Sequence, residues 1–285
     1  MNKISFSQFS LYSECPYHWK LRYIDKISKT ESNIFLIFGT AMHTVLQKYL
    51  EIMYQESIKI ADELNLPKML QEELIKEFKL AKEKDKKNPC TKEDLANFFD
   101  DGILIFDWFK KHRAEYFSKK NWELLGCEIP LHVKLKNDIN FVGFIDVALY
   151  HKPTRRVKII DIKTSTMGWN KYQKRNKIKT SQLLLYKQFF SKQRDCAIDD
   201  IDIEYFIVKR KLYKNMEFPQ KRIQTFVPAN GKVSMNKTGK ALQQFIDNAF
   251  DKNGNYKEDQ IATPSKSSCK YCEFNQTEFC NQGVL

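Results

Sequence analysis

The chain reads as an α/β protein: one central mixed β-sheet flanked by helices, with a helical insertion. Three observations predict it. Apolar residues recur at three- and four-residue steps through most of the first 120 positions, strand-like runs crowd into residues 122–163, and helical and strand patterns alternate from there to residue 250. No internal repeat or low-complexity linker divides the 285 residues, so a single domain is the simplest organisation. Within it fall an arm over 1–30, a helical lobe over 38–120, an α/β core over 121–230, and a helix with a tail over 231–285.

Taken in order, Ser5 and Gln8 have the spacing of a capping box, in which each side chain satisfies the other's exposed backbone donor at a helix start. A second helix follows over CPYHWKLRYI, where aromatic and basic residues leave one face to bury. From 38 to about 61, Met42, Val45, Leu46, Tyr49 and Met53 mark a long helix with His43 near its front. Taken alone, His43 reads as a partly buried histidine with a backbone partner. Residues 68–120 predict further helices around a lysine-rich break at 82–89, packed by Phe98, Phe99, Phe106, Trp108 and Phe109. The period then falls to two. Runs over 122–135, 139–150 and 157–163, with turn residues at Asn137-Asp138 and Lys152-Pro153, predict a three-strand meander. A basic stretch over 169–179 leads into a helix over 181–192 that carries Gln182 and Tyr186 one turn apart. Strands over 201–209 and 222–227, a helix over 237–250 and a loop-like tail complete the pattern.

Forty-eight Lys and Arg against thirty-five Asp and Glu give a net charge of +13, which favours a polyanionic partner, nucleic acid first. No apolar run approaches the roughly 20 residues that span a bilayer. The opening MNKISFSQFS lacks the apolar core of a signal peptide, so no membrane partner and an intracellular, reducing location (the cytoplasm) are expected. There, seven cysteines are expected as free thiols or metal ligands rather than disulfides.

The densest chemistry lies between Gly143 and Lys163, GFIDVALYHKPTRRVKIIDIK. Strand alternation puts Asp161 and Lys163 on one face, and a hairpin brings Asp146 toward Asp161 if the register allows. Two converging carboxylates bind a hard divalent cation, and a neighbouring ammonium neutralises charge on a phosphate. Alone, the same residues read more simply as surface carboxylates and a solvated lysine. A second constellation is the Cys-x-x-Cys pair Cys269 and Cys272, with Cys280 after it and Cys15 near the other end. Four thiolates suit a metal centre, and four unrelated thiols are the alternative. Cys90, Cys127 and Cys196 read as small packing residues.

Four blocks, SFSQFSLYSECPYHWKLRYI, GTAMHTVLQKYL, GFIDVALY with IIDIKTS, and SQLLLY, resemble the PD-(D/E)XK nuclease superfamily. Within it they are similar to the RecB/AddB-like branch and its iron–sulfur CRISPR adaptation exonucleases. The resemblance implies a restriction-endonuclease-like core with Asp146, Asp161 and Lys163 at its catalytic centre, assisted by Gln182 and Tyr186. It implies a Mg²⁺ or Mn²⁺ site built from Asp146, Asp161, the backbone carbonyl of Ile162 and His43, with Glu128 either a further ligand or a plain surface glutamate. Cys15, Cys269, Cys272 and Cys280 would hold a [4Fe-4S] cluster, or structural Zn²⁺, that ties the two chain ends together like a staple. Trp169, Lys171, Tyr172, Lys174, Arg175, Lys177 and Lys179 would track phosphates and stack on bases, unless they form only a solvated charge run.

The implied activity is a metal-dependent DNA nuclease, an exonuclease or end-processing enzyme in recombination, repair or CRISPR-type adaptation. It would act on single strands or free ends, with RNA an open alternative. No Gly-x-x-x-x-Gly-Lys-Ser/Thr loop is present, so a helicase motor would belong to a partner. A catalytically weak DNA-binding scaffold subunit of a recombination complex is the competing expectation.

Overall fold

Six strands form one mixed sheet in a computed structural model that describes residues 2–27 and 31–284. Positions 1 and 28–30 of the expected arm, and position 285 of the tail, lie outside the described residues. A two-residue strand, β1 (Lys3–Ile4), precedes α1 (Phe6–Glu14) and α2 (Pro16–Tyr23). The helical lobe holds α3 (Ile34–Gln55), α4 (Ile58–Glu63), α5 (Leu66–Asp85) and α6 (Lys92–His112). Then come β2 (Trp122–Lys134), β3 (Asn140–His151), β4 (Arg156–Ser165), α7 (Lys171–Arg175) and α8 (Lys177–Arg194). β5 (Ile201–Lys209), β6 (Ile223–Phe226), α9 (Lys232–Ala249) and α10 (Lys266–Cys269) complete the chain.

Side-chain caps decide where these helices begin. Asn33 accepts from the amides of Phe35 and Leu36, so α3 starts at Ile34, four residues ahead of the expected position. Asn170 and Asn176 cap α7 and α8, which orders the basic stretch into a short helix and starts α8 at Lys177 rather than 181. The capping box expected at α1 is half formed. Ser5 accepts from the Gln8 amide at 3.4 Å, but the Gln8 side chain donates to the Lys3 carbonyl and accepts from the Trp19 indole at 3.3 Å. A buried indole N–H needs an acceptor, and that tertiary demand outweighs the local cap.

β3 is the hub of the sheet. It pairs antiparallel with β2 along one edge; on the other it pairs antiparallel with β4 near its end and parallel with β1 at Asn140 and Phe141. β4 continues in parallel register with β5, from Val157 opposite Ile201 to Ser165 opposite Lys209, and β6 closes the far edge. Each face of the sheet has its own apolar core. One packs Trp19, Phe141, Leu183, Phe189, Tyr205 and Phe245 from α2, α8, α9 and the strands. The other packs Phe38, Met42, Tyr49, Leu70 and Phe109 of the lobe against Val147, Ile160, Ile162 and Phe206. Among the described residues no helix is long and apolar enough to cross a membrane.

The lobe is also fastened electrostatically. Asp101 of α6 is buried and pairs with Arg210 at 2.6 Å and Lys211 at 2.7 Å, just beyond β5, while the Arg210 guanidinium lies 4.0 Å from the Phe98 ring centroid. Removing one partner of a buried pair strands the other charge, at a cost of about 3 kcal/mol. Asp101→Ala should therefore lower Tm by roughly 5–12 °C in a thermal melt. A melt indistinguishable from the parent would show that the pair contributes nothing.

Candidate active site

β3 and β4 run as a ladder from His151 opposite Arg156 to Val147 opposite Ile160, and then part. The next residues on the two strands are Asp146 and Asp161. Because Asp161 stays opposite Tyr205 in the β4–β5 ladder, β4 remains in the sheet while its pairing with β3 ends. The Ile162 amide donates to Asp146 Oδ2 at 2.7 Å, so a side chain of β3 takes a bond its backbone would otherwise accept. Two carboxylates are thereby lodged in a gap in the sheet.

A twist in β2 and β3 aims the first of them. Ile129 and Ile145, which face each other, belong to one core, whereas Cys127 and Val147, also facing each other, pack with the other. Residues two apart on a regular strand share a face, so both strands turn over at Glu128 and Asp146. Glu128 adopts a φ of 50°, a conformation that costs a non-glycine residue roughly 1–3 kcal/mol. Gln47 Nε2 braces the turnover, donating to Glu128 Oε1 at 2.6 Å and to the Asp146 carbonyl at 3.1 Å.

Since the site is a gap, helices from both faces reach it. From the lobe, α3 brings His43, whose Nδ1 lies 3.5 Å from Asp146 Oδ2, and Gln47 one turn later. The front of α3 comes close to β4 at Gly39, where a Cβ would lie 3.2 Å from Thr164 Oγ1. From the other face, α8 brings Tyr186, buried, with the Gln182 amide donating to its Oη at 3.2 Å. A Cβ at Gly143 would sit 3.2 Å from that phenol oxygen, so the glycine of GFIDV makes room for it. Gln47 was absent from the residues expected at the site. Its signal was the four-residue spacing from His43 on a helix already recognised.

Asp161 is 2 % exposed, and Lys163 Nζ lies 2.7 Å from its Oδ2 as an ion pair. The other carboxylate oxygen, Oδ1, is buried with no hydrogen-bond partner among the described residues. Burial pushes both Asp146 and Asp161 up to about 6 against the pull of Lys163. For Lys163, burial alone would lower the pKa, but the two carboxylates together hold it above the ordinary lysine value. Burial, followed by the nearby Lys163 charge, holds His43 below its usual value and so favours a neutral ring with a lone pair to share. Two carboxylates, one with an unsatisfied buried oxygen, beside a neutral imidazole form a donor set that fits Mg²⁺ or Mn²⁺.

The four cysteines named with the tail line one small cavity of about 20 Å³, together with His18 and Phe274. Cys15 enters from the junction of α1 and α2, and the others from α10 and the turns after it. His18, Cys272 and Glu273 place ligand atoms within 4.8 Å of one another, and His18 was not foreseen. Burial raises Cys272, whereas a hydrogen bond from the Val284 backbone lowers Cys269. The same ends are joined by Tyr17, which donates to the Phe279 carbonyl at 3.2 Å, and by Thr263, which donates to that of Glu14 at 3.3 Å.

The basic stretch needs one correction. Trp169, expected to stack on bases, is 4 % exposed; it packs on Tyr205 and Phe226, with Lys179 Nζ 4.3 Å from its ring centroid. Its apolar surface is taken up by the core. Tyr172, 71 % exposed beside Lys171, is left as the open ring of that segment.

The family model of the PD-(D/E)XK nuclease superfamily matches residues 3–277. Among curated proteins, none matches the chain.

The raised carboxyl values fix a sign for stability. A group whose pKa is higher in the folded chain contributes stability that is present below the unfolded value, 3.8 for these aspartates, and lost as pH rises through about 6. At about pH 8 the two buried charges oppose folding of the metal-free chain. Asp146→Asn should therefore raise Tm in EDTA at that pH and lose most of its advantage near pH 4. Mg²⁺ or Mn²⁺ should stabilise the parent and not the variant. A variant that melts below the parent in EDTA at about pH 8 would contradict this account.

Proposed function

The chain belongs to the PD-(D/E)XK nuclease superfamily, and from that premise we propose that it is a metal-dependent DNA nuclease of the RecB/AddB-like branch, acting as an exonuclease or end-processing enzyme. The observation that carries the reading is the convergence of Asp146, Asp161 and Lys163 where β3 and β4 part, with the Asp161 carboxylate buried and its Oδ1 without a partner among the described residues. Two buried carboxylates share one ammonium there, so the arrangement is costly without a further cation. A scaffold subunit would have no use for it.

Asp146, Asp161, the Ile162 carbonyl and His43 hold the ion in this reading, and Gln47 fixes the strand turnover that aims Asp146. Glu128, already bonded to Gln47, positions the site rather than completing the shell. A divalent ion there supplies Lewis-acid neutralisation of the phosphate and acidifies a nucleophilic water. Lys163 remains an ammonium and stabilises charge that develops on the phosphoryl oxygens. Tyr186, held by Gln182, bounds the same space and contacts the backbone of the bound strand. Lys171, Tyr172, Lys174, Arg175, Lys177 and Lys179 lead the strand in. A DNA substrate with single-stranded or free ends follows, and recombination, repair or CRISPR-type adaptation, with any unwinding done by a helicase partner, is the setting that fits.

Cys15, Cys269, Cys272 and Cys280 bind a [4Fe-4S] cluster in this proposal, with Zn²⁺ the alternative for four thiolates around one cavity. Its role is structural, fastening the ends through metal-ligand energy.

End-labelled single- and double-stranded DNA incubated with Mg²⁺ or Mn²⁺ should be degraded, and EDTA or Asp161→Ala should stop it. Gln47→Ala should reduce the rate by about 10- to 100-fold, as loss of a group behind a metal ligand does. Degradation that survives both EDTA and Asp161→Ala would sink the mechanism. For the tail, Cys272→Ala should abolish a broad visible absorbance and lower Tm. An unchanged spectrum, metal content and melt would remove the staple.

A further inference from the structure

Beside the face of α8 that carries Gln182 and Tyr186, α8 and α9 line a groove of about 600 Å³ to which α1, α7 and β6 also contribute. Its size falls within the roughly 300–1,000 Å³ of sites that take a nucleotide-sized ligand. The apolar lining is formed by Phe9, Leu184 and Phe226, with Lys174 Nζ 5.7 Å from the Phe226 ring centroid. Four cations rim it: Lys174 and Arg175 of α7, Lys177 of α8, and Lys237 of α9. No Asp or Glu lines the groove, and none of the four cations forms an ion pair among the described residues. Thr180, Ser234 and Thr238 add hydroxyls to the lining.

An apolar lining beside an unneutralised basic rim matches a ligand with a flat apolar face and a flanking anion. A nucleotide has that division, its base against the apolar lining and its phosphates at the lysines. A duplex cannot use it, because its bases are stacked inside and its phosphates would meet only the rim. Continuity with the catalytic centre comes from α8 itself. Gln182 and Tyr186 project to the centre, while Ser181 and Leu184 face the groove. Lys179, on the same end of α8, is near enough to Lys163 for their like charges to be felt.

We propose that this groove is a second nucleic-acid subsite, which holds an unstacked nucleotide of a single strand whose neighbouring segment lies at the catalytic centre. The inference rests on the nuclease reading for its occupant and makes single-strand engagement the specificity device of the enzyme. Lys237, far from the carboxylates in sequence and on a different helix from every catalytic group, becomes a phosphate contact. Ala241, half-buried in the groove wall, becomes the position at which a larger side chain would block the base.

The test is fluorescence anisotropy of a labelled oligothymidylate in EDTA, which reads binding without cleavage. Lys237→Glu should weaken binding by about tenfold and flatten the dependence of log affinity on log salt by at least about 0.7. Ala241→Trp leaves the charge unchanged and should weaken the single strand by about tenfold while sparing a duplex of equal length. Hydrolysis of bis(p-nitrophenyl) phosphate with Mn²⁺, which needs only the metal centre, should stay at the parent level in both variants. Parent-like oligothymidylate affinity in both would overturn the subsite, as would parallel loss of small-diester hydrolysis. A parent protein inert toward the small diester that nonetheless loses strand affinity in both variants would leave the subsite standing and fail the nuclease reading instead.

Discussion

The parting of β3 from β4 after Val147 and Ile160 is the constraint on which the rest of the molecule depends. Inside a sheet, backbone groups must be satisfied, so a gap survives only if other groups answer the freed donors and acceptors. Here the answer to the Ile162 amide is the Asp146 carboxylate. On the same edge of β3, β1 takes up pairing again at Asn140 and Phe141, so the unpaired stretch is bounded at both ends. A continuous ladder would leave no place for the two carboxylates side by side.

The gap also explains why two layers of helices converge on one point. In an intact α/β sheet the two faces are sealed from each other. α3 packs in one core and α8 in the other, yet His43 and Tyr186 both lie near the same carboxylates, at the point where the strands part. The small residues are placed accordingly. Gly39 lets α3 come close to Thr164, and Gly143 leaves room for the phenol on α8.

Much of this was legible in the residues. Alternation alone put Asp161 and Lys163 on one face, and the turn at Lys152-Pro153 set the hairpin that carries Asp146 back alongside. The helical period placed His43, and the Gln182–Tyr186 spacing did form a hydrogen-bonded pair. What escaped was tertiary. The turnover at Glu128 requires a left-handed backbone at a residue with no preference for it, and no local pattern announces that. Trp169 sits among lysines in the sequence but against Tyr205 and Phe226 in space, since strands 36 and 57 positions away supply the core that claims it. Helix starts at Ile34 and Lys177 were missed because the apolar period was read without the caps at Asn33 and Asn176. β1 is too short to carry any periodicity of its own.

The arm and the tail meet across almost the whole chain. Asn2 bonds the Gly254 carbonyl 252 residues away, and Tyr17 bonds that of Phe279 across 262. At a translation speed of about 5–20 residues per second, those contacts wait roughly 13–50 s after the arm is made. For most of that interval Phe9 and Trp19, both packed beside Phe245 in the folded chain, have no partner from α9 to cover them. The groups from His43 to Tyr186 are all synthesised before the tail. The protein thus carries a folding burden set by topology rather than composition.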